Sequence, residues 1–522
     1  MTEFDAIIVG GGHNGLGIAA YLSKSGLKVL VCEAFSEVGG YLHSESVIPG
    51  YIHSFHAITM GTYAPIYRDF DLLQYGTRMI RADVEFGLIV GTKALALHNS
   101  VPKANFKTYA KFSEKDARTL ESLHKRFHTT WLKEYYSPPM PPEERGVGLQ
   151  PRDRDEWRMI CSMSPAEVVE NYFESEMIRL FLTLRVVEEG AEGYAIASKR
   201  TKNEYKGTGD YAMKMLTDPQ YAIPQGGSRR LAEGLSRIIS IFGGVVLVDA
   251  VVKRIIVKDG RAIGVELLDG RVFNSGKMVI SNVDIGATIR LTGEENFGPD
   301  LVKKINSLKA PAWGKFDLHI ASNESPKYKV DDPAINRSLN VFVGYESVDD
   351  LDKHTDEARK NQFPKEPSFH AGCQTLYDTS LAPPGKHTLW EWMYISPQLS
   401  METTESIAQK YKEAVLARWQ EFAPNLKGET MIDVYPYYVR KWRARPLLPS
   451  ISNGQYYDNR PISDLSGYRT PVSGLYLCHS SSHPGATVRF GPCYNALTVI
   501  ARDFNLAKWW SDPVPGVPLA SE

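Results

Sequence analysis

The sequence predicts an α/β fold in which a Rossmann-type dinucleotide-binding domain is combined with an α+β substrate domain. Two observations predict it. Residues 6–33 read as strand, glycine turn, helix and strand, and the later chain mixes strand-like runs with amphipathic helices. The length, 522 residues, is too great for one compact core and makes two domains the expectation.

The first strand is Ala6, Ile7, Ile8 and Val9, followed by a turn with Gly10, Gly12 and Gly15. Each glycine has its own task. Gly10 permits the tight turn, Gly12 lets backbone approach a pyrophosphate, and Gly15 lets the helix pack on the strand. A helix with Ala19 and Leu22 on one face follows, then Gly26 and a second strand that ends at Glu33. The helix N-terminus, with His13 and Asn14, faces the phosphates. Glu33 lies about twenty residues past the glycines, where a carboxylate accepts from a ribose hydroxyl and disfavours a 2′-phosphate. Beyond Ala34, a second glycine pair, Gly39 and Gly40, follows the acid. The bland alternative is a glycine-rich turn without ligand, but strands, helix and terminal acid agree with one another.

The pair Gly39 and Gly40 resembles the extended FAD signature of the amine-oxidase and desaturase superfamily, which favours FAD over NAD. From there the chain resembles the phytoene dehydrogenase-like branch, in the run Ile48, Pro49, Gly50, Tyr51 and in the helix and turn from Asp71 to Gly76. Ile223, Pro224, Gln225, Gly226, Gly227 and Ser228 open a helix with Leu231, Leu235, Ile238 and Ile239, followed by two strand-like runs around a turn at Asp259 and Gly260. The resemblance implies backbone contacts to adenine from Val251 and Val252, and a strand end rejoining the sheet at Ser281 and Asn282. The stretch from Asp378 to His387 is another landmark, or simply a hairpin turn. Near the C-terminus, Tyr468, Gly474 and Cys478 lead to His483, Pro484, Gly485 and Asn495, which resemble the closing flavin-binding segment. There the resemblance implies a helix whose amides lie near the flavin N1/O2 edge, where reduction places negative charge.

The resemblance implies a glutathione-reductase-like FAD domain assembled from residues 1–75, 220–300 and 450–505. Two substrate-domain insertions then separate these segments: residues 76–219, mainly helical, and residues 301–449, sheet plus helices, with residues 506–522 as a tail. In the first insertion, Ser164 and Glu167 frame a capped helix start and the proline-rich residues 137–143 read as a loop. In the second, strand-like runs cover residues 315–320, 339–343 and 387–394, and Ile407, Tyr411, Val415 and Trp419 form a helical stripe. Such a stripe is more often core than site.

A flavin accepts hydride at N5, so forming a C=C bond also requires a group that takes a proton from the adjacent carbon. Histidine suits that task near neutral pH. The resemblance places His53, His56, His479 and His483 near the flavin or the substrate channel, and each is equally readable as a hydrogen-bonded packing residue. Arg489 is the candidate anchor for a carboxylate or enolate, against the alternative of a structural ion pair, and Tyr494 is a candidate acid. The chain departs from the pattern by placing His479, Ser481, Ala486, Thr487 and Phe490 where the family has glycines. These residues point to an oxygenated or cyclic hydrophobic substrate rather than a plain polyene. The expected enzyme is an FAD-dependent dehydrogenase or desaturase. Amine oxidation, saturation or isomerisation, and a non-redox Rab-escort-like binding role stay open; Trp392, Tyr394 and Tyr438 permit the aromatic cage that amine oxidation would favour.

No second glycine fingerprint follows a strand and no C-x-x-C is present, so electrons are expected to leave to an external acceptor, oxygen or a quinone. With 60 Lys+Arg against 61 Asp+Glu, no global field recruits nucleic acid. Five scattered cysteines suit reduced thiols, no metal-ligand spacing occurs, and the chain enters a strand by Ala6 without room for a signal peptide, so a cytoplasmic protein is expected. The window from Ile238 to Val252 is broken by Gly243, Gly244 and Asp249, so no transmembrane segment is expected. The basic cluster Arg440, Lys441, Arg443, Arg445 reads as a solvated face or a peripheral membrane contact. Oligomeric state is not legible.

Overall fold

The computed structural model describes residues 3–99, 102–187, 199, 203, 206–216, 221–308, 314–330, 332–438, 462–485 and 487–514. The first sheet runs in the order Val245–Leu247, Val29–Cys32, Glu3–Val9, Val272–Ser281, Arg261–Leu267, Val252–Lys258. The ten-residue strand Val272–Ser281 is the hinge of this topology. Along one edge it lies parallel to Glu3–Val9; along the other, its start pairs antiparallel with Arg261–Leu267 and its end pairs parallel with Leu475–Leu477. The parallel strands are buried on both faces, as their near-continuous Ile/Val/Leu composition requires. The first helix, His13–Lys24, and the last, Gly491–Asp503, pack on each other beside this sheet. The turn between Val252–Lys258 and Arg261–Leu267 places Asp259 (φ 50°) and Gly260 (φ 72°) in the left-handed region, as an Asp-Gly hairpin demands.

The second sheet runs Met431–Tyr438, Gly314–Ser322, His387–Ile395, Phe369–Cys373, Ser338–Val343, Val84–Val90, Lys93–His98. One face packs on helix Glu405–Phe422, whose Ala408, Val415 and Trp419 are buried in the core behind it. The other face carries rows of aromatic and histidine rings. Helix Pro165–Tyr172 begins with the expected capping box, Ser164 and Glu167 each accepting the other's backbone N–H. A three-stranded patch joins Met60–Gly61, Tyr221–Pro224 and Met79–Ile80, so the chain stitches its two halves where it returns at Tyr221.

The first insertion is mainly helical, as expected, except at its start. Residues 84–90 and 93–98 leave it to complete the second sheet. Val84–Val90 is buried nearly throughout, so its pattern is a continuous apolar run rather than an alternation, which periodicity does not separate from a helix. Gly87 is required there, since a Cβ would sit 2.9 Å from Ser338 Oγ. Glu85 is buried in this strand and accepts from Asn340 Nδ2 at 3.2 Å. The basic cluster at residues 440–445 lies outside the described residues. Among the described residues no helix is long and apolar enough to cross a membrane, and no three His, Cys, Asp or Glu side chains are grouped to hold a metal.

Candidate functional site

The glycine turn is built by backbone crowding. A Cβ on Gly15 would lie 2.3 Å from the Gly10 carbonyl and 2.6 Å from Asn282 Nδ2, which itself donates to that carbonyl at 3.0 Å. The second glycine pair closes onto the first: Gly39 N–H donates to the Gly11 carbonyl at 2.8 Å, and a Cβ on Gly40 (φ 60°) would lie 3.1 Å from Gly12 Cα. Beside this cradle two buried polar atoms, His13 Nε2 and Asn14 Oδ1, have no hydrogen-bond partner among the described residues. A buried polar atom without a partner is costly unless a ligand meets it. The cradle and these atoms fit a dinucleotide cofactor.

Glu33 does more than the sequence suggests. Its carboxylate accepts the Gly11 amide at 2.7 Å and the Phe35 amide at 3.1 Å, fixing the turn from below. The Glu33 and Phe35 carbonyls accept from the Ala250 and Asp249 amides, so the rim that carries Ala34 meets the segment leading into Val251 and Val252. Val251 is 40% exposed at that rim. Ser281 turns its hydroxyl onto Thr288 Oγ1 at 2.7 Å, so that hydroxyl holds the strand end rather than a ligand.

The far end of the cradle meets the closing segment. Thr487 (φ 101°) and Phe490 (φ 56°) adopt positive φ just before helix Gly491–Asp503, and such strain in non-glycine residues concentrates where the surrounding structure imposes a shape. A Cβ on Gly491 would lie 2.5 Å from Pro484 Cγ, so the turn of Pro484 and Gly485 is seated on the helix start. His483 is buried and its carbonyl accepts from the Tyr468 hydroxyl at 2.6 Å. His479 Nδ1 accepts the Ser481 amide at 3.1 Å. His13 packs edge-on to Phe490, and burial first, then neighbouring His479, lowers its pKa to about 4, so the ring is neutral.

Arg489 is 1% exposed. Its guanidinium donates to the Tyr221 hydroxyl and to Thr487 Oγ1 and lies over the rings of Tyr63 and Tyr221, 5.5 and 5.3 Å from their centroids. The side chain runs past Gly61, where a Cβ would sit 2.7 Å from Arg489 Cγ. Two residues read from the sequence as site groups have other tasks. Tyr494 donates to the Ser511 carbonyl at 3.0 Å, which ties the C-terminal segment down. Asn495 donates through Nδ2 to the Tyr135 and Ser137 carbonyls at 3.1 and 2.9 Å, joining the helical insertion to the closing helix, while its buried Oδ1 has no partner among the described residues.

From Arg489 an aromatic face extends over the second sheet. Tyr221 meets Phe86 edge-on, Phe86 and Phe342 lie parallel at 6.2 Å, Phe342 stacks on His370, and His370 contacts Trp390 and Trp392. The register places Asp317, Trp392 and His370 in one row and His319, Trp390 and Gly372 in the next, all on this face. A Cβ on Gly372 would meet the Trp390 ring at 2.7 Å. Arg185, from helix Glu176–Val187, is buried 5.1 Å over Phe86. On the other side lie His53, Phe55 and His56: His53 is 5.2 Å from His319, Phe55 is 4.3 Å from His319, and His56 faces Tyr41 and Tyr437. The tyrosine of this cluster is Tyr437. His53 Nε2 is 3.3 Å from the Ile320 carbonyl; a carbonyl only accepts, so Nε2 carries the proton and Nδ1 the lone pair. Burial lowers the His53 pKa to about 4.

Sequence reasoning named His53, His56 and Arg489 but missed Tyr63, Phe86, Arg185, Tyr221, His319 and His370. Of the aromatic residues named in advance, Trp392 and Tyr394 lie on this face; the alternation of Trp390, Trp392 and Tyr394 along one strand-like run is the signal that could have found the rest.

Residues 8–73 match the family described as NAD(P)-binding Rossmann-like domain. A limonene dehydrogenase chain of Castellaniella defragrans is 26% identical, covering 98% of this chain and 97% of that protein. A lycopene-forming phytoene desaturase of Paracoccus sp. is 26% identical over 51% of each chain. Among solved structures, a putrescine oxidase variant redesigned in its cofactor binding superposes with a TM-score of 0.60 at 15% identity, covering 96% of this chain and 98% of that one, a likeness of fold.

Proposed function

We propose that the chain is an oxidoreductase of the amine-oxidase and desaturase superfamily, a reading its likenesses support, and that it is an FAD-dependent dehydrogenase introducing a C=C bond into a cyclic or oxygenated hydrophobic substrate. The observation that carries this reading is the continuity of the glycine cradle, buried Arg489 and the aromatic face. Limonene, named for the full-length relative, is a cyclic and apolar molecule, in keeping with that face.

FAD, when bound, supplies the hydride acceptor at N5. Gly10, Gly12, Gly15, Gly39 and Gly40 would hold its pyrophosphate; Glu33, Val251 and Val252 its adenosine end; and the segment from His483 to the start of helix Gly491–Asp503 its ring edge. The chain's own groups do the rest. Phe86, Phe342, Trp390 and Trp392 exclude water and offer flat apolar surface to the substrate. Arg489 orients an oxygen function. His53, neutral and held through its Nε2–H on the Ile320 carbonyl, accepts the substrate proton at Nδ1. Electrons then pass to an external acceptor, oxygen or a quinone.

The test is anaerobic mixing of the FAD-loaded protein with cyclic hydrocarbons, cyclic ketones, carboxylic acids, amines and polyenes. Bleaching of the flavin band by a cyclic or oxygenated hydrophobic compound, with the unsaturated product recovered, supports the reading; bleaching by amines alone replaces it with C–N oxidation.

A further inference from the structure

The helical insertion holds a buried charge cluster that this mechanism does not use. Glu134 lies at the end of helix Glu114–Tyr135. Its carboxylate accepts the Gly146 amide at 2.7 Å and the Trp157 indole N–H at 3.0 Å, gathering the loop after the prolines and helix Pro151–Ser162 onto one side chain. Arg145, 6% exposed, and Asp210, 3% exposed, form an ion pair of 3.0 Å beside it. Among the described residues Cys161 also faces the cluster, its thiol pushed well up by burial and then by Asp210. Arg154 and Arg158 reach the loop through the Leu149 and Arg145 carbonyls. Glu134 shares this buried setting with a second carboxylate, Asp210, and burial beside a like charge favours taking up a proton.

The next three residues grip the closing segment. Tyr136 donates to the Arg489 carbonyl at 2.7 Å, the Tyr135 and Ser137 carbonyls accept from Asn495, and a Cβ on Gly491 would lie 3.0 Å from the Tyr135 ring. We propose that Glu134 is a positioning residue that binds one proton and, through residues 135–137, alters the hold on the segment from Arg489 to Asn495. The importance of that segment rests on its reading as the flavin edge. Burial raises the Glu134 carboxyl to about 7, with Asp210 adding to the rise and Gly146, Arg145 and Trp157 opposing it. The proton is therefore exchanged near neutral pH.

Two readouts need no flavin and so stand apart from the redox reading. The first is tryptophan fluorescence between pH 5 and 9, taken as the difference between the wild-type protein and Trp157→Phe. The second is amide hydrogen exchange of peptides spanning Arg489 and Asn495 at pH 6 and pH 8, corrected for intrinsic rates. The wild type is expected to show a one-proton fluorescence step with a midpoint at about pH 7, and a protection change of roughly threefold or more, both absent in Glu134→Gln. Asp210→Asn, which removes the neighbouring negative charge, is expected to lower the midpoint by about one unit or more. A protection change that persists in Glu134→Gln overturns the proposal, as does a fluorescence step with no change in protection. Should Glu134→Gln fail to fold, an unmoved midpoint in Asp210→Asn overturns it.

Discussion

The glycine cradle and the aromatic face are built from opposite materials. The cradle is backbone against backbone: Gly10, Gly12, Gly15, Gly39 and Gly40 come so close that side chains are shut out, and its one necessary acid, Glu33, bonds to amides. The face is side chain against side chain, with Phe86, Tyr221, Phe342, His370, Trp390 and Arg489 drawn from segments far apart in sequence. Steric exclusion admits one residue type, whereas stacking admits several. In the proposed function the cradle therefore takes one kind of ligand, and the face is the part that defines the substrate.

This contrast is broken most severely at Gly15. Replacing it with valine, whose Cβ would sit 2.3 Å from the Gly10 carbonyl, is expected to abolish bound flavin and to cost about 3 kcal/mol or more in stability. Flavin per chain and thermal unfolding measure both. Gly26→Ala is the matched control: its φ is 84° but nothing lies within 4 Å of the new Cβ, so about 1 kcal/mol is lost and flavin is kept.

Acid acts on both regions through buried histidines. His13 in the cradle and His53 at the face have pKa values lowered to about 4, below the unfolded value, so the folded state binds fewer protons between those limits. The stability each provides is complete above the unfolded value near 6.5 and is lost as pH falls towards 4. The size is about 3 kcal/mol per ring. His53→Gln is expected to flatten this part of the acid limb in a pH series of melting curves, and an unchanged limb contradicts the assignment.

Arg489→Met separates the regions. It keeps the volume that packs beside Gly61 but removes the guanidinium, and is expected to lower kcat/KM roughly 100-fold with flavin content unchanged. Loss of flavin in this variant makes Arg489 part of the cofactor site instead. The smallest effect is expected at Trp392→Ala, a roughly tenfold rise in substrate Kd, measured by titration of the oxidised protein, again with flavin retained.

Legibility in the sequence followed the same division. Glycine positions with positive φ, the Asp-Gly hairpin and the Ser164 capping box are local features, readable because each depends on neighbours within a few residues. Strand Val84–Val90 was hidden because burial on both faces erases alternation. Tyr494 and Asn495 resembled site residues by position, yet their partners, Ser511, Tyr135 and Ser137, are set by tertiary packing. Tyr221 and His370 carried no signal of their own, since a ring becomes part of a wall only when distant strands align it.

As proposed, one chain joins an FAD cradle to an aromatic substrate wall for carbon–carbon oxidation. The most direct measurement reconstitutes the protein with FAD, removes oxygen, adds a cyclic hydrophobic donor, and follows the visible flavin band together with the product. One FAD per chain and loss of the band in step with one new C=C bond are expected. A protein that binds no FAD, or an FAD-loaded protein bleached only by amines, would contradict it.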